Sequence, residues 1–125
     1  MSTKDLQLVN LEQAKRLKEL GFDLETIEFY HEDGTADMWI FGDHNAAGKY
    51  SAPTVALALK YIRDEKGKIF TIKWDYLGGG DYNYYYIIEY KNNIPIVGFS
   101  TKCYYVVENQ LLDRLLSILE KEKEQ

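Results

Sequence analysis

Disulfide bonds and metal centres depend on residues that this sequence has in very small numbers. Its 125 residues include one cysteine, two histidines and two prolines. A single cysteine excludes an intramolecular disulfide, and we expect the reducing environment of the cytoplasm. Metal sites usually contain ligands in close pairs, such as two histidines on one helix face or a Cys-x-x-Cys motif, and the sequence has neither. We therefore expect no metal and no cofactor.

Long apolar runs and an excess of positive charge are also missing. No stretch approaches the roughly 20 apolar residues of a membrane-spanning helix, and the first ten residues lack the apolar core of a signal peptide. The formal net charge is -5, whereas general affinity for DNA or RNA comes from lysine and arginine side chains that neutralise phosphates. We therefore expect no membrane association and no general nucleic-acid binding.

Aromatic side chains are what the sequence has in abundance. Tyrosine alone supplies 11 residues, aromatic residues make up 14% of the chain, and hydrophobic residues make up 46%. Tyrosine suits the half-buried face of a sheet, because its ring packs on neighbours while its hydroxyl stays in water. A chain of this length can bury one core without covalent staples, so we expect a single domain over residues 1–125.

An amphipathic helix is predicted over residues 11–20. Asn10 is a good N-cap, and Gln13 stands at the position from which its side chain can reach back to the cap. Leucine and alanine recur on one face of the segment, which is typical of a helix that packs on a core. Gly21 follows directly and fits a left-handed C-terminal cap.

Two further helices are predicted. One begins with Pro53 at its first position, where the missing N–H does no harm, and ends at Gly67. The other covers about residues 105–122 and carries a wide stripe of leucine and isoleucine, which makes it the strongest helix in the chain. Cys103 precedes this apolar helix, and we expect it to be a small buried side chain rather than a nucleophile.

Residues 26–42 are predicted to form a β-hairpin, with Asp33 and Gly34 as the turn between two runs rich in β-forming residues. The second run carries apolar residues, including Trp39, on both of its faces. That pattern is typical of a strand that is central in its sheet or covered on both sides. The following residues, 43–53, are predicted to be a loop.

Two strands on either side of a triple glycine each have one aromatic face. The glycines, Gly78–Gly80, are predicted to form a turn and not a phosphate-binding loop, because a strand and not a helix follows them. In register, Trp74 would lie opposite Tyr84. The same pairing would put Tyr76 opposite Tyr82. We expect the leucines of a helix to cover this aromatic face.

A third strand is expected after a turn at Asn92 and Asn93, and Pro95 in it indicates a strand start or a sheet edge. The order of elements is then α-ββ-α-βββ-α. Helices interspersed with hairpins favour an α+β fold, in which helices pack on an antiparallel sheet of about five strands.

No constellation of residues in the sequence points to catalysis, and we expect a non-catalytic accessory protein. Binding to another protein is the leading function, because tyrosine and tryptophan beyond the needs of the core are available for an interface. A homodimer is a further interpretation, since the strand with two apolar faces offers a surface for a second copy.

Two alternatives stay open. The first is a sensor for a small ligand or nucleotide that uses Trp39, the 43–51 loop and the tyrosine-rich strand. The residues proposed to contact a ligand or partner are Trp39, His44, Lys49, Tyr50 and Tyr85. The second is a small hydrolase that uses His31 or His44 with nearby carboxylates, which requires these groups to converge in one cleft.

Two segments carry a resemblance to a known family. The first has the pattern Leu-Glu-x-Ala-x-x-Leu-x-Glu-Leu-Gly over residues 11–21, and the second has Ala-Pro-Thr over residues 52–54 at a helix start. With an aromatic hairpin between them and a leucine-rich C-terminal helix, the chain resembles a family of small phage- and prophage-encoded proteins of unknown function from gut bacteria. The resemblance implies a mobile-element origin and a bacterial cytoplasm, and it transfers no catalytic or binding residue.

Overall fold

The computed structural model of the chain describes residues 7–22, 26, 28–38, 48–78, 81–89, 94–101 and 103–124. This part of the chain contains three helices and six strands in the order α-βββ-α-βββ-α. Their bounds are α1 Leu11–Glu19, β1 Glu28–His31, β2 Ala36–Met38, β3 Lys49–Ala52, α2 Val55–Lys66, β4 Phe70–Gly78, β5 Asp81–Ile88, β6 Ile96–Thr101 and α3 Tyr104–Lys123. None of these described helices is both long and apolar enough to cross a lipid bilayer.

The strands form two antiparallel sheets of three strands each, with the order β2-β1-β3 in the first and β4-β5-β6 in the second. The predicted α+β class with antiparallel pairing is confirmed, whereas the single sheet of about five strands is wrong. The difference arises in the predicted loop over residues 43–53, which contributes β3. This strand pairs with β1 over its full length, from Lys49 opposite His31 to Ala52 opposite Glu28.

The extra strand has a physical reason that its own sequence does not show. β3 is only four residues long and contains a single strongly β-forming residue, Tyr50, so its sequence is not enough to predict a strand. Its extended form is stabilised instead by hydrogen bonding to β1 and by α1, which packs against it. Ser51 and Ala52 are buried in this contact.

The β1–β2 hairpin turns where the sequence predicts it. The Asp33 carboxylate accepts hydrogen bonds from the hydroxyl (2.6 Å) and the backbone N–H (2.9 Å) of Thr35, which hold the pKa of Asp33 below its usual range. Gly34 has a positive φ of 92°. β2 ends at Met38 within the described residues and lies at a sheet edge, so the alternative of a central strand is wrong there, and the alternative of cover on both faces is not tested. Trp39 lies outside the described residues.

The second sheet has the predicted register. Trp74 lies opposite Tyr84, and Tyr76 lies opposite Tyr82. The turn predicted at the triple glycine is not tested, because the last two of the three glycines lie outside the described residues. β6 begins directly after Pro95 and lies at a sheet edge, as the proline indicates.

α1 begins as predicted and ends next to the predicted cap. The Asn10 side chain accepts a hydrogen bond from the Gln13 N–H at 2.8 Å, and Gln13 Oε1 accepts one from the Asn10 N–H at 2.9 Å. These two bonds complete a capping box. At the other end Gly21 has a φ of 94°, and the Phe22 N–H donates to the Leu17 carbonyl at 2.9 Å. This pattern satisfies carbonyls that the helix end leaves without partners.

α2 begins two residues later than predicted. Thr54, not Pro53, is at the boundary, and its hydroxyl caps the helix by accepting a hydrogen bond from the Leu57 N–H at 3.1 Å. Pro53 lies ahead of the cap, where its carbonyl accepts a hydrogen bond from the Val9 N–H at 3.0 Å. The segment before α1 is thereby attached to the start of α2. Gly67 ends the helix with a φ of 67°, as predicted.

α3 is the longest described helix and lies at the centre of the core. It packs against α1, α2, β5 and β6. Two successive leucine pairs on it are fully buried, namely Leu111, Leu112, Leu115 and Leu116. Burial of each such side chain stabilises the fold by about 1.5–3 kcal/mol. Cys103 is the N-cap of α3 and is exposed, so the expectation that it is buried is wrong, because it lies before the buried stripe begins.

A buried polar contact joins α1 to α3. Gln13 is 1% exposed, and its Nε2 donates to Asn109 Oδ1 at 3.0 Å and to Asp113 Oδ1 at 2.8 Å. Beside it, Arg16 Nε donates to both carboxylate oxygens of Glu120 at 3.0 and 3.1 Å. Because a buried amide is stable only when its polar atoms are paired, this contact fixes how α1 docks on α3.

Gln13→Ala is expected to lower the free energy of unfolding by about 1–3 kcal/mol, because it removes two hydrogen bonds between helices and one in the capping box. Urea denaturation followed by circular dichroism measures this change. Gln110→Ala is the matched control, since Gln110 is exposed on α3, and it should change stability by less than about 0.5 kcal/mol. Equal losses in the two variants would contradict the assigned contact.

Candidate functional site

The structure distributes the predicted binding residues over two sheets. Lys49 and Tyr50 lie on β3 in the first sheet, whereas Tyr85 lies on β5 in the second. Trp39 and His44 lie outside the described residues, and their predicted role is therefore not tested. Tyr85 shares neither a strand nor a sheet with the other two, so the three described candidates do not define a single site by themselves.

Tyr50 has contacts within the chain that account for its position. Its hydroxyl donates to Glu32 Oε2 at 2.5 Å, and this hydrogen bond raises the pKa of Tyr50 and lowers that of Glu32. Lys15 Nζ donates to the other oxygen of the same carboxylate at 3.1 Å. The ammonium groups of Lys15 and Lys18 lie 5.4 and 5.0 Å from the centre of the Tyr50 ring. Tyr50 thus connects α1, β3 and the β1–β2 turn.

His31 lies on β1 beside the Asp37 carboxylate. Its Nε2 is 3.6 Å from Asp37 Oδ2, and its ring meets the Phe29 ring edge to face at a centroid distance of 4.9 Å. In the described part of the chain, no group of three or more histidine, cysteine, aspartate and glutamate side chains is placed to hold a metal ion. The hydrolase hypothesis stays a prediction, because its second histidine, His44, lies outside the described residues.

The aromatic face of the second sheet is only partly covered. Phe70 and Tyr86 are 8% exposed and Ile88 is fully buried, as expected for residues under a helix. Trp74, on the same face two rows further along β4, is 61% exposed. The prediction that a helix covers this whole face is therefore wrong at the end nearer the glycines. The reason is that α3 begins at Tyr104, where its first turn meets the sheet.

Several apolar side chains around the start of α3 are exposed. The Tyr84 and Tyr104 rings pack edge to face at a centroid distance of 5.6 Å, and Tyr104 packs in the same way on Tyr105 at 5.9 Å. Tyr104, Tyr105 and Val106 are 40%, 39% and 44% exposed. Trp74 lies directly opposite Tyr84 on the neighbouring strand. We refer to these five residues, Trp74, Tyr84, Tyr104, Tyr105 and Val106, as the aromatic surface.

A groove of about 340 Å³ adjoins the aromatic surface. Three elements form its walls, since α2, β4 and α3 each contribute side chains to it. Among the lining residues are Leu59, Arg63, Phe70, Ile72, Tyr104 and Glu108. Tyr104 belongs to both features, so the groove opens next to the exposed rings. We refer to it as the α2–β4 groove.

Glu108 is the buried acidic group of the α2–β4 groove. It is 8% exposed, and burial raises the pKa of its carboxyl, while a hydrogen bond from the Tyr104 hydroxyl acts in the opposite direction. The Tyr104 pKa is also raised, first by burial and then by the neighbouring Glu108 charge. The Arg63 guanidinium lies 4.6 Å from the centre of the Phe70 ring on the α2 side of the groove. The groove therefore contains one carboxylate whose charged form is disfavoured by burial.

Neither the aromatic surface nor Glu108 was among the residues predicted from sequence. One local pattern does point to the surface, because Tyr104 and Tyr105 stand ahead of the fully buried stripe of α3. A helix that begins with two aromatic residues outside its apolar stripe exposes them unless another element covers them. Glu108 gives no such indication, because a glutamate near the start of a helix is usually solvated.

Searches against protein-family models, curated proteins and solved structures found no match for the chain. The resemblance to phage and prophage proteins accordingly stays a prediction. The aromatic surface and the α2–β4 groove are the features from which a function can be argued.

Glu108→Gln is expected to raise the melting temperature at about pH 7. The pKa of Glu108 in the folded state lies above its value in the unfolded state, so the native state holds the proton more tightly. The wild-type protein therefore loses stability as the pH rises from the unfolded pKa through the folded pKa. The neutral amide removes that loss. Near pH 4 the wild-type carboxyl is protonated and the difference between the two proteins should shrink. Thermal unfolding at both pH values measures it.

Glu65→Gln provides the matched control, because Glu65 is exposed on α2. It should not produce a stabilisation that depends on pH in the same way. A Glu108→Gln variant that is less stable than wild type at about pH 7 would show that the buried carboxylate is favoured in its charged form.

Proposed function

We propose that the protein is a non-catalytic interaction module that binds a partner protein through the aromatic surface. The observation that carries this proposal is the exposure of Trp74, Tyr104, Tyr105 and Val106, between 39% and 61%, around the start of one helix. Large exposed apolar patches on soluble proteins are typical of interaction sites. Tyrosine and tryptophan are also the residues most enriched where protein interfaces are fully buried.

The elements beneath the aromatic surface hold it in place. Trp74 and Tyr84 are on paired strands of one sheet, and Tyr104 is the first residue of a helix whose next turns are buried in the core. A partner would therefore meet side chains whose backbone is already ordered, which lowers the entropic cost of association. Rigid aromatic anchors of this kind are the usual source of binding energy at interfaces.

The positions of the charged residues on β4 also favour the face that carries Trp74 as the binding face. Lys73 and Asp75 flank Trp74 in sequence, and alternation along a strand places their side chains on the opposite face of the sheet. The centre of a protein interface is depleted of charged residues, and the aromatic surface fits that composition. An origin in a phage or prophage and a place in the bacterial cytoplasm belong to this proposal through the sequence resemblance alone.

Binding of a small ligand is the second candidate function, and the α2–β4 groove favours it. A volume of about 340 Å³ is at the lower end of what small-molecule sites have. Glu108 and Arg63 supply polar groups of both signs at that groove. The aromatic surface is much more open than a small ligand needs, which is why protein binding comes first.

A photo-reactive amino acid placed at position 105 is expected to cross-link to a specific protein in a lysate of the cells that express this chain. Tyr105 is at the margin of the aromatic surface, so the probe leaves Trp74 in place. Trp74→Ala in the same chain should abolish the adduct, because it removes the most exposed ring. Mass spectrometry of the adduct measures the outcome.

The matched control is the same probe at position 97. Val97 is 62% exposed, but it pairs with Ile87 and faces away from Tyr86, on the other side of the sheet. This position should give no specific adduct. The same adduct from both positions, or an adduct that survives Trp74→Ala, would contradict the proposed surface.

Nucleotides and common metabolites are expected to leave the melting temperature of the protein unchanged in a thermal-shift screen. A ligand that binds the folded state stabilises it by mass action, so a specific ligand for the groove would raise the melting temperature reproducibly. A rise of several degrees that Glu108→Gln removes would favour the ligand-binding function over the interaction module.

A further inference from the structure

The hydrogen-bond pattern of β4 determines which of its backbone groups face outward. The Glu89 N–H donates to the Ile69 carbonyl at 2.9 Å, and the register of the ladder places these two residues opposite each other. Hydrogen-bonded and non-hydrogen-bonded pairs alternate in an antiparallel ladder. Residues 71, 73 and 75 therefore direct their N–H and C=O groups toward β5. The backbone groups of Phe70 and Ile72 point the other way.

Those outward groups lie along a sheet edge. β4 is the first strand of the order β4-β5-β6, and within the described residues no strand pairs with its other side. The outward N–H and C=O groups of Phe70 and Ile72 border the α2–β4 groove, because both residues line it. An open edge of this kind is a template for pairing with another extended chain.

The shape of the groove suits an extended chain. Its lining includes Leu59 and Arg63 of α2, Phe70, Thr71 and Ile72 of the edge strand, and Glu108 of α3. A peptide that adds to a sheet edge beside a helix is a common mode of recognition, in which backbone hydrogen bonds give affinity and alternate side chains give specificity.

The charge of Glu108 indicates the chemistry of one side chain of the incoming peptide. Glu108 is 8% exposed, and its contact in the described structure is the hydroxyl of Tyr104, which leaves acceptor capacity on the carboxylate. Arg63 packs on Phe70 and makes no ion pair with Glu108 in the described part of the chain. A cationic side chain entering the groove would therefore meet a carboxylate in a partly dehydrated setting, where a charged hydrogen bond is strong.

In an added strand, the residue two positions away from the one near Glu108 lies on the same face and would contact the aromatic surface. Alternate residues of a strand are about 6.5–7 Å apart. Along β4, Trp74 follows Ile72 on the same face, and along α3 Tyr104 lies one turn before Glu108. An incoming strand thus places one side chain near Glu108 and another, two residues away, against Trp74 and Tyr104.

We propose that an extended segment of the partner protein adds to the edge of β4 as a fourth strand. The segment carries an apolar side chain that packs on Trp74 and Tyr104, and a lysine or arginine two residues away that pairs with Glu108. This inference rests on the proposed function and specifies the chemistry of its partner. A second copy of this chain, pairing edge to edge through β4, is the competing occupant.

Selection from a random seven-residue peptide library displayed on yeast tests the proposal. Peptides enriched on the wild-type protein should have β-forming residues, with a basic and an apolar residue two positions apart. The strongest one is then synthesised with a fluorescein label, and its dissociation constant is measured by fluorescence anisotropy. Failure to enrich any peptide with this pattern would overturn the proposal.

Ile72→Pro separates strand addition from side-chain binding. Proline removes the outward N–H of residue 72 while the ladder to β5, which uses the neighbouring residues, keeps its bonds. Binding should weaken by about tenfold or more. Ile72→Ala is the matched control, since it also loses the half-buried side chain but keeps the N–H, and its affinity should exceed that of the proline variant by about tenfold. Equal affinities would overturn strand addition.

Methylated peptides give the same answer without changing the protein. Methylation of the backbone nitrogens that face β4 should abolish binding, whereas methylation of the alternate nitrogens should have little effect. This comparison does not depend on whether the proline variant folds. Equal loss with both peptides would count against pairing in a fixed register.

Glu108→Gln tests the charge pair. Replacing the basic residue of the peptide by norleucine should cost about tenfold in affinity on the wild-type protein and less than about twofold on the variant, as expected for directly coupled groups. Equal costs on both proteins would contradict the pairing with Glu108.

Two further measurements distinguish this inference from the proposed function. A cross-link at position 105 that persists in Ile72→Pro would contradict strand addition and leave the aromatic surface as a binding site. Absence of any cross-link in the wild-type chain would contradict the proposed function itself. Sedimentation that shows a concentration-dependent dimer, abolished by Ile72→Pro but not by Ile72→Ala, would assign the edge to a second copy and overturn the proposal.

Discussion

Burial of the leucine stripe of α3 is the interaction on which the rest of the structure depends. Leu111, Leu112, Leu115 and Leu116 are fully buried, and the helix that carries them contacts both other helices and two strands of the second sheet. Each side chain contributes about 1.5–3 kcal/mol, a large share of the net stability of a small domain. The position of this stripe therefore fixes where α3 lies along the sheet and which part of the sheet it covers.

The exposed features follow from that placement. The stripe is buried from Val107 onward, and the residues ahead of it, Tyr104, Tyr105 and Val106, remain 39–44% exposed. The sheet beneath extends further along β4 than the helix does, which leaves Trp74 exposed on the aromatic face. The aromatic surface and the adjoining groove both lie at this offset between a nine-residue strand and the first turn of a helix.

Local chemistry made much of the fold predictable from sequence. The capping box at Asn10 and Gln13, the turn at Asp33 and Gly34, and the pairing of Trp74 with its cross-strand partner each follow from neighbouring residues. β3 was not predicted because its four residues are too few to identify a strand, and its extended conformation depends on contacts with β1 and α1. α2 begins two residues later than predicted because Thr54 caps it with its hydroxyl, whereas a start at Pro53 would leave Ala52 as a cap without a side-chain acceptor.

The candidate site was less predictable than the fold, for a related reason. Tyr50 and Lys49 were predicted as binding residues because they lie in the predicted 43–51 loop, but in the folded chain Tyr50 bonds to Glu32, and the Lys49 ammonium lies 5.3 Å from the centre of the Phe29 ring. Exposure of Trp74 depends on where a helix about thirty residues later in the chain begins. Periodicity assigns a residue to a face of a sheet, but it does not say how far along that face the covering helix extends.

The exposure of Trp74 tests the central claim most directly. Trp39→Phe leaves Trp74 as the only tryptophan, and acrylamide quenching of its fluorescence then reports how accessible the indole ring is in the folded protein. The account predicts quenching much stronger than that of a buried indole, because the side chain is 61% exposed. Quenching as weak as that of a buried indole would show that the aromatic face is covered, and would remove the basis for the proposed interface.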